Sequence, residues 1–423
     1  MDDLIEAAAA VSEDPAGLAA VIRDIGRRAA VSQSDRDSFT DFDGITQICR
    51  ALGAPPHNWR GPGMTALCAA AASICRTSPL NRGAFRDEGF VVAAVGLLQA
   101  ALDEDNESDG VSACNALSAL CTANDGNKKA ASLCDPAGFD LVLVALGRFP
   151  DSPRFQTSGV GALLCLVNDD DPRQPDCIPS AVETRDRAIT DKVFPKVRKA
   201  LENALDVEGR QGPFPRLREK VVLALSVVAC RETTVHEMVF EGNMLRRIET
   251  SVSDVDERVV RACLALIRAF GFADEIKEQI AVESDVALKC VAAVQRHLTC
   301  PSICEQAFGL FANLSMRKPH IATRLNGPDV RLLAVGQRVL EKHPTKPNVI
   351  RTVYQTMRNI AAADQAAEEE VRDWGIFDDM LQSVKDHKHD ARWKPVVDIA
   401  SLTLREFRAD SSMRAPTQWN DYY

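Results

Sequence analysis

Polar side chains that could hold another molecule recur at helical spacing in the last third of the sequence. Arg351, Gln355 and Asn359 follow one another at intervals of four, and eight residues separate Glu305 from Asn313. Residues four apart lie on one face of a helix. A side-chain amide supplies both donors and an acceptor, so a row of amides could hold the backbone of an extended peptide. The candidate binding residues are Arg261, Glu305, Gln306, Asn313, Arg351, Gln355 and Asn359. The same amides could instead tie neighbouring helices together, and the sequence leaves both interpretations open.

A second candidate surface is a basic patch in the same region, formed by Arg317, Lys318, Arg324, Lys342 and Lys346. Such a patch could bind an acidic peptide or RNA phosphates, although a solvated face is the commoner meaning of such charges. No aromatic residues are interleaved to stack on bases. The formal net charge of -10 also argues against sequence-independent binding to nucleic acid or anionic membranes. We therefore expect another protein as the partner.

Two short patterns resemble parts of metal sites. The stretch DNESDG at 105–110 matches the first half of a calcium-binding loop, but Ala116 stands where a bidentate glutamate is required. Cys300 and Cys304 have no second Cys or His pair at a matching distance for zinc. No phosphate-binding glycine loop, GxSxG elbow or HExxH helix occurs in the sequence. We predict no metal, no cofactor and no enzymatic activity.

Cysteine placement indicates the compartment. Most of the 13 cysteines stand inside apolar helical runs, as do Cys68 and Cys75, which is typical of buried thiols in a reducing environment. The amino end, MDDLIEAAAAVSEDP, carries acids where a secretory signal needs positive charge, and no apolar run approaches the roughly 18 residues of a membrane span. We expect a cytoplasmic, monomeric protein without membrane contact, and the nucleus or a cilium as alternative locations.

The elements that would present these side chains form a repeat. Seven similar apolar phrases each end a helix, and their central anchor residues are Ile74, Leu120, Leu166, Val228, Phe270, Leu314 and Ile360. The successive steps are 46, 46, 62, 42, 44 and 46 residues. Five of these six steps fall within the period of about 40 to 47 residues that is typical of armadillo and HEAT repeats.

Each phrase is followed by a short amphipathic stretch, a turn residue and a second apolar helix. The turn residues are Gly44, Gly89, Gly138, Gly242, Ser284, Gly327 and Gly375. One short and two longer helices per unit is the armadillo plan, whereas a HEAT unit has two helices. We predict an all-α fold, an armadillo-type right-handed superhelix of three-helix repeats, with a HEAT-like solenoid as the alternative.

The repeat register also divides the chain. An N-terminal capping helix is expected within 1–33, about eight repeats within 34–407, and a C-terminal tail at 408–423. The one long step requires an insertion of about 16 residues. The prolines and acids of 168–187 indicate that this insertion is an exposed acidic loop and not a helix. Such a loop either contacts a partner or is a tolerated surface insertion.

Two segments carry a more specific pattern, HLTCPSICEQAFGLFANLSMRKP at 297–319 and EKHPTKPNVIRTVYQTMRNIAA at 341–362. Their shared residues, in order, are Cys304, Glu305, Gln306, Arg317, Lys318, Pro319, His343, Pro344, Arg358 and Asn359. On these motifs the chain resembles the armadillo-repeat-containing protein 6 family over roughly 280–414, and is generic armadillo before that. The resemblance implies an armadillo fold without catalytic activity, and it supplies no defined molecular role.

These observations favour a non-enzymatic scaffold that binds an extended or helical segment of a partner protein in the concave groove lined by the third helices. One alternative is a structural subunit of a cytoskeletal or ciliary assembly, which would make contact through its outer helices and the 168–187 loop. Another is a binder of nucleic acid or acidic peptides through the basic patch. A receptor for basic nuclear-localisation peptides is not expected, because Gly309 and Gln355 stand where tryptophans would flank the lysine stems.

Overall fold

The computed structural model describes residues 2–41, 43–52, 61–171 and 178–409. Their regular structure consists of 26 α-helices with short π and 3-10 segments, and these ranges contain no strand. None of the helices in them is both long and apolar enough to cross a lipid bilayer. The chain divides into two compact units, Met1–Val228 and Ala229–Tyr423.

The first unit begins with two helices, α1 (Asp2–Ala10) and α2 (Pro15–Val31), where the sequence predicted one capping helix. Four triplets of helices follow. They are α3 (Gln33–Asp41), α4 (Gly44–Ala51) and α5 (Gly61–Ile74); α6 (Pro79–Asp87), α7 (Phe90–Asp103) and α8 (Glu107–Cys121); α9 (Asp125–Ser132), α10 (Gly138–Arg148) and α11 (Pro153–Val167); and α12 (Ser180–Ala188), α13 (Phe194–Gln211) and α14 (Pro215–Val228).

The second unit contains four more triplets, and two of their first helices continue as π-helix. The triplets are α15 (Glu232–His236, then π at Glu237–Glu241), α16 (Met244–Glu249) and α17 (Glu257–Phe270); α18 (Asp274–Glu278, then π at Gln279–Glu283), α19 (Val286–Arg296) and α20 (Pro301–Ser315); α21 (Pro319–Leu325), α22 (Leu332–Lys342) and α23 (Pro347–Ala361); and α24 (Gln365–Asp373), α25 (Ile376–His387) and α26 (Lys394–Ala409). The predicted tail at 408–423 therefore begins inside α26, and residues 410–423 lie outside the described ranges.

The third helices of successive triplets pack side by side. In the first unit α2, α5, α8, α11 and α14 follow one another in this way, and in the second unit α17, α20, α23 and α26 do. Each of the seven anchor residues lies near the end of a third helix and is at most 2% exposed. Burying one such side chain contributes about 1.5 to 3 kcal/mol. Because each repeat contributes three helices, the structure confirms the all-α, armadillo-type fold and rules out the HEAT-like alternative.

The turn between the first and second helix of a repeat often needs one residue in the left-handed region. Gly89 and Gly375 adopt it with φ of 74° and 73°, as the sequence predicted. At two other turns the left-handed residue is a neighbour of the glycine, namely Asp43 at φ 58° and Asn243 at φ 47°. Asn and Asp tolerate this conformation because their short side chains can hydrogen-bond locally.

The prediction that 168–187 is a loop without a helix is wrong for its second half. Residues 180–188 form α12, so the connection after α11 is confined to 168–179. The rest of the insertion lengthens α13, which has 18 residues where its counterpart α10 has 11. Residues 172–177 of the connection lie outside the described ranges.

Helix α12 begins where it does because a residue of the preceding repeat caps it. The Asp125 carboxylate accepts hydrogen bonds from the backbone N–H groups of Ser180 at 3.0 Å and Ala181 at 3.1 Å. These are among the N–H groups at a helix start that have no partner within the helix. Pro179 stands just before the first helical residue, where a proline does not interrupt a helix.

A buried lysine holds the start of this connection. The Lys128 side chain is 1% exposed, and its ammonium donates to the Asn168 carbonyl and, at 2.5 Å, to the Asp170 carboxylate. The Asp171 carboxylate accepts a hydrogen bond of 2.9 Å from the N–H of Asp125. Two of the acids that suggested an exposed partner contact, Asp170 and Asp171, are therefore used within the first unit.

We expect Lys128→Ala to lower the free energy of unfolding by about 2 kcal/mol or more, because it leaves the Asn168 carbonyl and the Asp170 carboxylate without their cationic donor. Urea unfolding followed by circular dichroism would measure the change. The adjacent Lys129 is exposed, so Lys129→Ala should stay within about 0.5 kcal/mol of the parent protein. Equal effects of the two substitutions would contradict this role of Lys128.

Candidate functional site

The third helices of the second unit leave one strip of side chains partly exposed, and we call it the third-helix face. Its members are Arg261, Ala265, Arg268 and Ala269 on α17; Glu305, Gln306, Gly309 and Asn313 on α20; and Arg351, Gln355 and Asn359 on α23. All of them are half-buried except Gly309, which is buried, and most residues between them face the core. The structure thus brings all seven candidate binding residues onto one face.

Hydrogen bonds across the helices show that α20 and α23 run parallel. The Thr356 hydroxyl donates to the Phe308 carbonyl at 2.9 Å, and the Asn359 amide donates to the Ala312 carbonyl at 3.0 Å. Both bonds join residues 47 or 48 positions apart, so the pairing advances in the same direction along both helices. The register explains why residues one repeat apart in the sequence become neighbours on the face.

The two asparagines of the face join neighbouring helices. Asn313 Nδ2 donates to the Arg268 carbonyl at 3.2 Å, and Asn359 Nδ2 donates to the Ala312 carbonyl and, at 3.2 Å, to the Ser315 hydroxyl. This is the alternative that the sequence left open for these amides. These hydrogen bonds use only the side-chain N–H groups of Asn313 and Asn359, and within the described residues the Oδ1 atoms accept no hydrogen bond. Each asparagine therefore fixes its own orientation and keeps an acceptor for another molecule.

Arg268 is a part of the face that sequence analysis missed. Its guanidinium lies against Gly309, where a Cβ would come within 2.6 Å of it, and it donates to Gln306 Oε1 at 3.2 Å. Burial and the nearby Arg351 lower the pKa of Arg268, and Glu305 opposes this shift. Gly309 was the signal in the sequence that could have revealed Arg268, because a glycine inside a helix often marks the close approach of another group.

Three side chains of the face have no internal hydrogen bond or ion pair among the described residues: Glu305, Arg351 and Gln355. They lie beside the fixed groups Arg268 and Asn313 on the same strip. A carboxylate, a guanidinium and an amide together offer acceptors, donors and both charges. The face can therefore bind a polar backbone and select side chains of either charge.

The predicted basic patch does not form one surface. Arg317 and Lys318 follow the C-terminal end of α20, whereas Lys342 and Lys346 precede the N-terminal end of α23. Helices α20 and α23 are parallel and each has 15 residues, so these two ends lie about 22 Å apart along the helix axis. Arg324 is used internally, since its guanidinium donates to the Ala281 carbonyl at 2.9 Å. The basic residues are close in sequence because α21 and α22 lead the chain from the C-terminal end of α20 back to the N-terminal end of α23.

The described residues contain no group of three or more His, Cys, Asp or Glu side chains placed to hold a metal ion. Cys304 instead contacts His343, with 3.8 Å between Sγ and Nε2, and the same Nε2 donates to the Leu298 carbonyl at 2.8 Å. Burial raises the pKa of the Cys304 thiol to about 12. A thiol that stays protonated is a poor metal ligand.

No protein-family model matches this chain, and neither does any curated protein sequence. Among solved structures, an engineered protein has a similar fold, with a TM-score of 0.56 and 17% identity over 96% of this chain and 99% of that chain. A structure that concerns a phosphorylation switch controlling the interaction between cadherin and beta-catenin is also similar. Its TM-score is 0.62 at 11% identity, over 96% of this chain and 77% of that chain. At such identities the likeness shows the fold alone.

We expect Asn359→Ala to lower the free energy of unfolding by about 1 kcal/mol, because the lost hydrogen bonds to α20 outweigh the higher helix propensity of alanine. Thermal and urea unfolding would measure this change. Gln355→Ala, one turn earlier on the same face, serves as the control and should shift stability by less than about 0.5 kcal/mol. If both variants unfolded like the parent protein, the Asn359 bridge would not stabilise the helix pair.

Proposed function

We propose that this chain is a non-enzymatic interaction scaffold that holds an extended segment of a partner protein across the third-helix face of the second unit. The observation that carries the proposal is the set of unpaired groups on that face, Glu305, Arg351 and Gln355, beside asparagines that are already fixed in place. A site whose side chains are held before binding loses less conformational entropy when the partner arrives.

The spacing of the helices suits an extended peptide that crosses them. Neighbouring packed helices lie about 8 to 10 Å apart, and an extended chain advances about 3.3 Å per residue. A peptide that crosses α20 and α23 would therefore present an N–H group to Asn313 and, about three residues later, to Asn359. Gln355, Arg351 and Glu305 would then select among the side chains between those contacts.

The fold neighbours support a partner protein in general terms. One of the similar structures concerns an interaction of beta-catenin with cadherin, so this architecture binds protein partners elsewhere. The resemblance to the armadillo-repeat-containing protein 6 family remains a proposal, and several of its motif residues have structural roles here. His343 bonds to the Leu298 carbonyl in the turn before α20, and Asn359 bonds to α20. Arg358 Nε donates to Glu406 Oε2 at 2.6 Å.

The two alternative functions receive less support. Asp170 and Asp171 of the 168–187 segment bond inside the first unit, which weakens the case for a structural subunit that uses this segment as its contact. The separation of the basic patch into two ends weakens the case for a nucleic-acid binder. We also propose that the protein resides in the cytoplasm, because eight of the twelve described cysteines are buried thiols that suit a reducing compartment.

A photo-crosslinking residue at position 355 tests the proposal directly. In a cell extract this residue should crosslink to a partner protein. The same partner should not be crosslinked when the photoreactive residue replaces Arg246, an exposed position on α16, or Glu183, an exposed position on α12. Crosslinks from position 183 with none from 355 would favour the structural-subunit alternative.

With the captured partner purified, we expect Arg351→Ala with Gln355→Ala to weaken binding by about tenfold or more, because these side chains lie in the contact. Arg246→Ala removes the same positive charge elsewhere and should leave the dissociation constant within about twofold. Isothermal titration would compare the three proteins. Unchanged affinity of the double variant would place the partner on another surface.

A further inference from the structure

A second binding site is suggested by a cleft of about 580 Å³ on the second unit, away from the third-helix face. It opens between α22, the start of α23 and α25, and the turns before and after α25 complete its wall. Its apolar part includes Ile350 and Tyr354, both buried, and its two largest lining side chains are Trp374 and Trp393. Half of the tryptophans in the chain thus meet in one cleft.

The indole of Trp393 already holds a flat ring. The His387 imidazole stacks on it with ring centroids 3.7 Å apart and an interplanar angle of 10°. This contact covers one face of the Trp393 indole and holds the ring in place. Tryptophan faces carry negative charge density, so a cation is the ligand that such a surface favours most.

The polar lining points to the same charge. Three carboxylates line the cleft, those of Glu341, Asp379 and Asp386, and no lysine or arginine does. Among the described residues, Glu341 and Asp379 form no hydrogen bond or ion pair through their side chains, whereas Asp386 accepts a bond of 2.7 Å from Gln382. Burial and the adjacent Asp378 raise the pKa of the Asp379 carboxyl. The wall of the cleft therefore contains acids without a cationic partner together with two indoles.

We infer that this cleft binds an arginine side chain from an extended segment of a partner protein. A guanidinium is planar, stacks on aromatic faces and offers five N–H donors to carboxylates, whereas an ammonium is compact and strongly hydrated. Charge complementarity selects the occupant, since the cleft supplies acids and aromatic rings and its lining includes no lysine or arginine. The inference does not depend on the third-helix face, because the two sites share no residue.

The test uses the full chain with Trp59 and Trp419 replaced by Phe, so that Trp374 and Trp393 are the only indoles that report fluorescence. The probe is a short capped peptide of glycine and serine with one central arginine. It should produce a saturable change at millimolar concentration. The matched peptides carry citrulline, which has nearly the same shape without the charge, or lysine. We expect no response to citrulline and weaker binding of lysine.

The protein variants separate the cleft from general electrostatics. Asp379→Asn should weaken the arginine peptide by about tenfold. Asp378 is adjacent but does not line the cleft, so Asp378→Asn makes the same charge change and should alter binding by less than about threefold. Asp379→Asn should also leave the thermal midpoint unchanged or higher, because it removes an acid whose charged form is disfavoured in the fold. Glu341→Gln, at an exposed position of the cleft lining, is the second variant and should weaken binding as well.

Several outcomes would overturn the inference. They are equal responses to arginine and citrulline, equal binding of lysine, equal effects of Asp378→Asn and Asp379→Asn, or no saturable response at all. A concentration-dependent dimer that Asp379→Asn abolishes would identify a second copy of the chain as the occupant. None of these results would bear on the crosslinks expected from position 355, so the two proposals can fail separately.

Discussion

The packing of one third helix against the next is the interaction on which the rest of each unit depends. A three-helix repeat is too small to bury its apolar side chains alone, so it must place them against a neighbour. The anchor residues Leu314 and Ile360 are fully buried at such contacts. Because both flanks of a third helix such as α20 are covered by its neighbours α17 and α23, one strip of its surface remains for polar groups. The third-helix face is thus a consequence of the packing, and its side chains are as well positioned as the helices that carry them.

Buried polar groups complete this packing where apolar contacts leave carbonyls without a partner. Lys128 and Lys277 are equivalent in this respect, since each lies on the first helix of its repeat and is almost fully buried. Their ammonium groups donate to the carbonyls of Asn168 and Met316, which follow the third helix of the same repeat. The last carbonyls of a helix have no partner within it. A cation there also interacts favourably with the helix dipole, so each lysine closes its own repeat.

The sequence predicted well what depends on helical spacing and poorly what depends on how helices meet. Spacing alone placed Asn313 and Asn359 on one face, because the period of a helix is fixed. It did not reveal Arg268, whose position depends on the register between α17 and α20. Helix α12 was missed because its cap, Asp125, lies 55 residues earlier in the sequence and in another repeat. That Trp374 and Trp393 line one cleft was missed for the same reason, since it depends on how α22 and α23 pack against α25.

Several hydrogen bonds between repeats share one direction. In them, a side chain donates to a backbone carbonyl of the preceding repeat and so reaches toward the amino end. Asn127 bonds to Arg82, Lys220 to Thr157, and Asn359 to Ala312. A ribosome makes the chain from its amino end, so each of these three acceptor carbonyls has been made before its donor emerges. A new repeat therefore meets the carbonyls of the repeat made before it, and water can satisfy the carbonyls at the growing end until the next repeat is made.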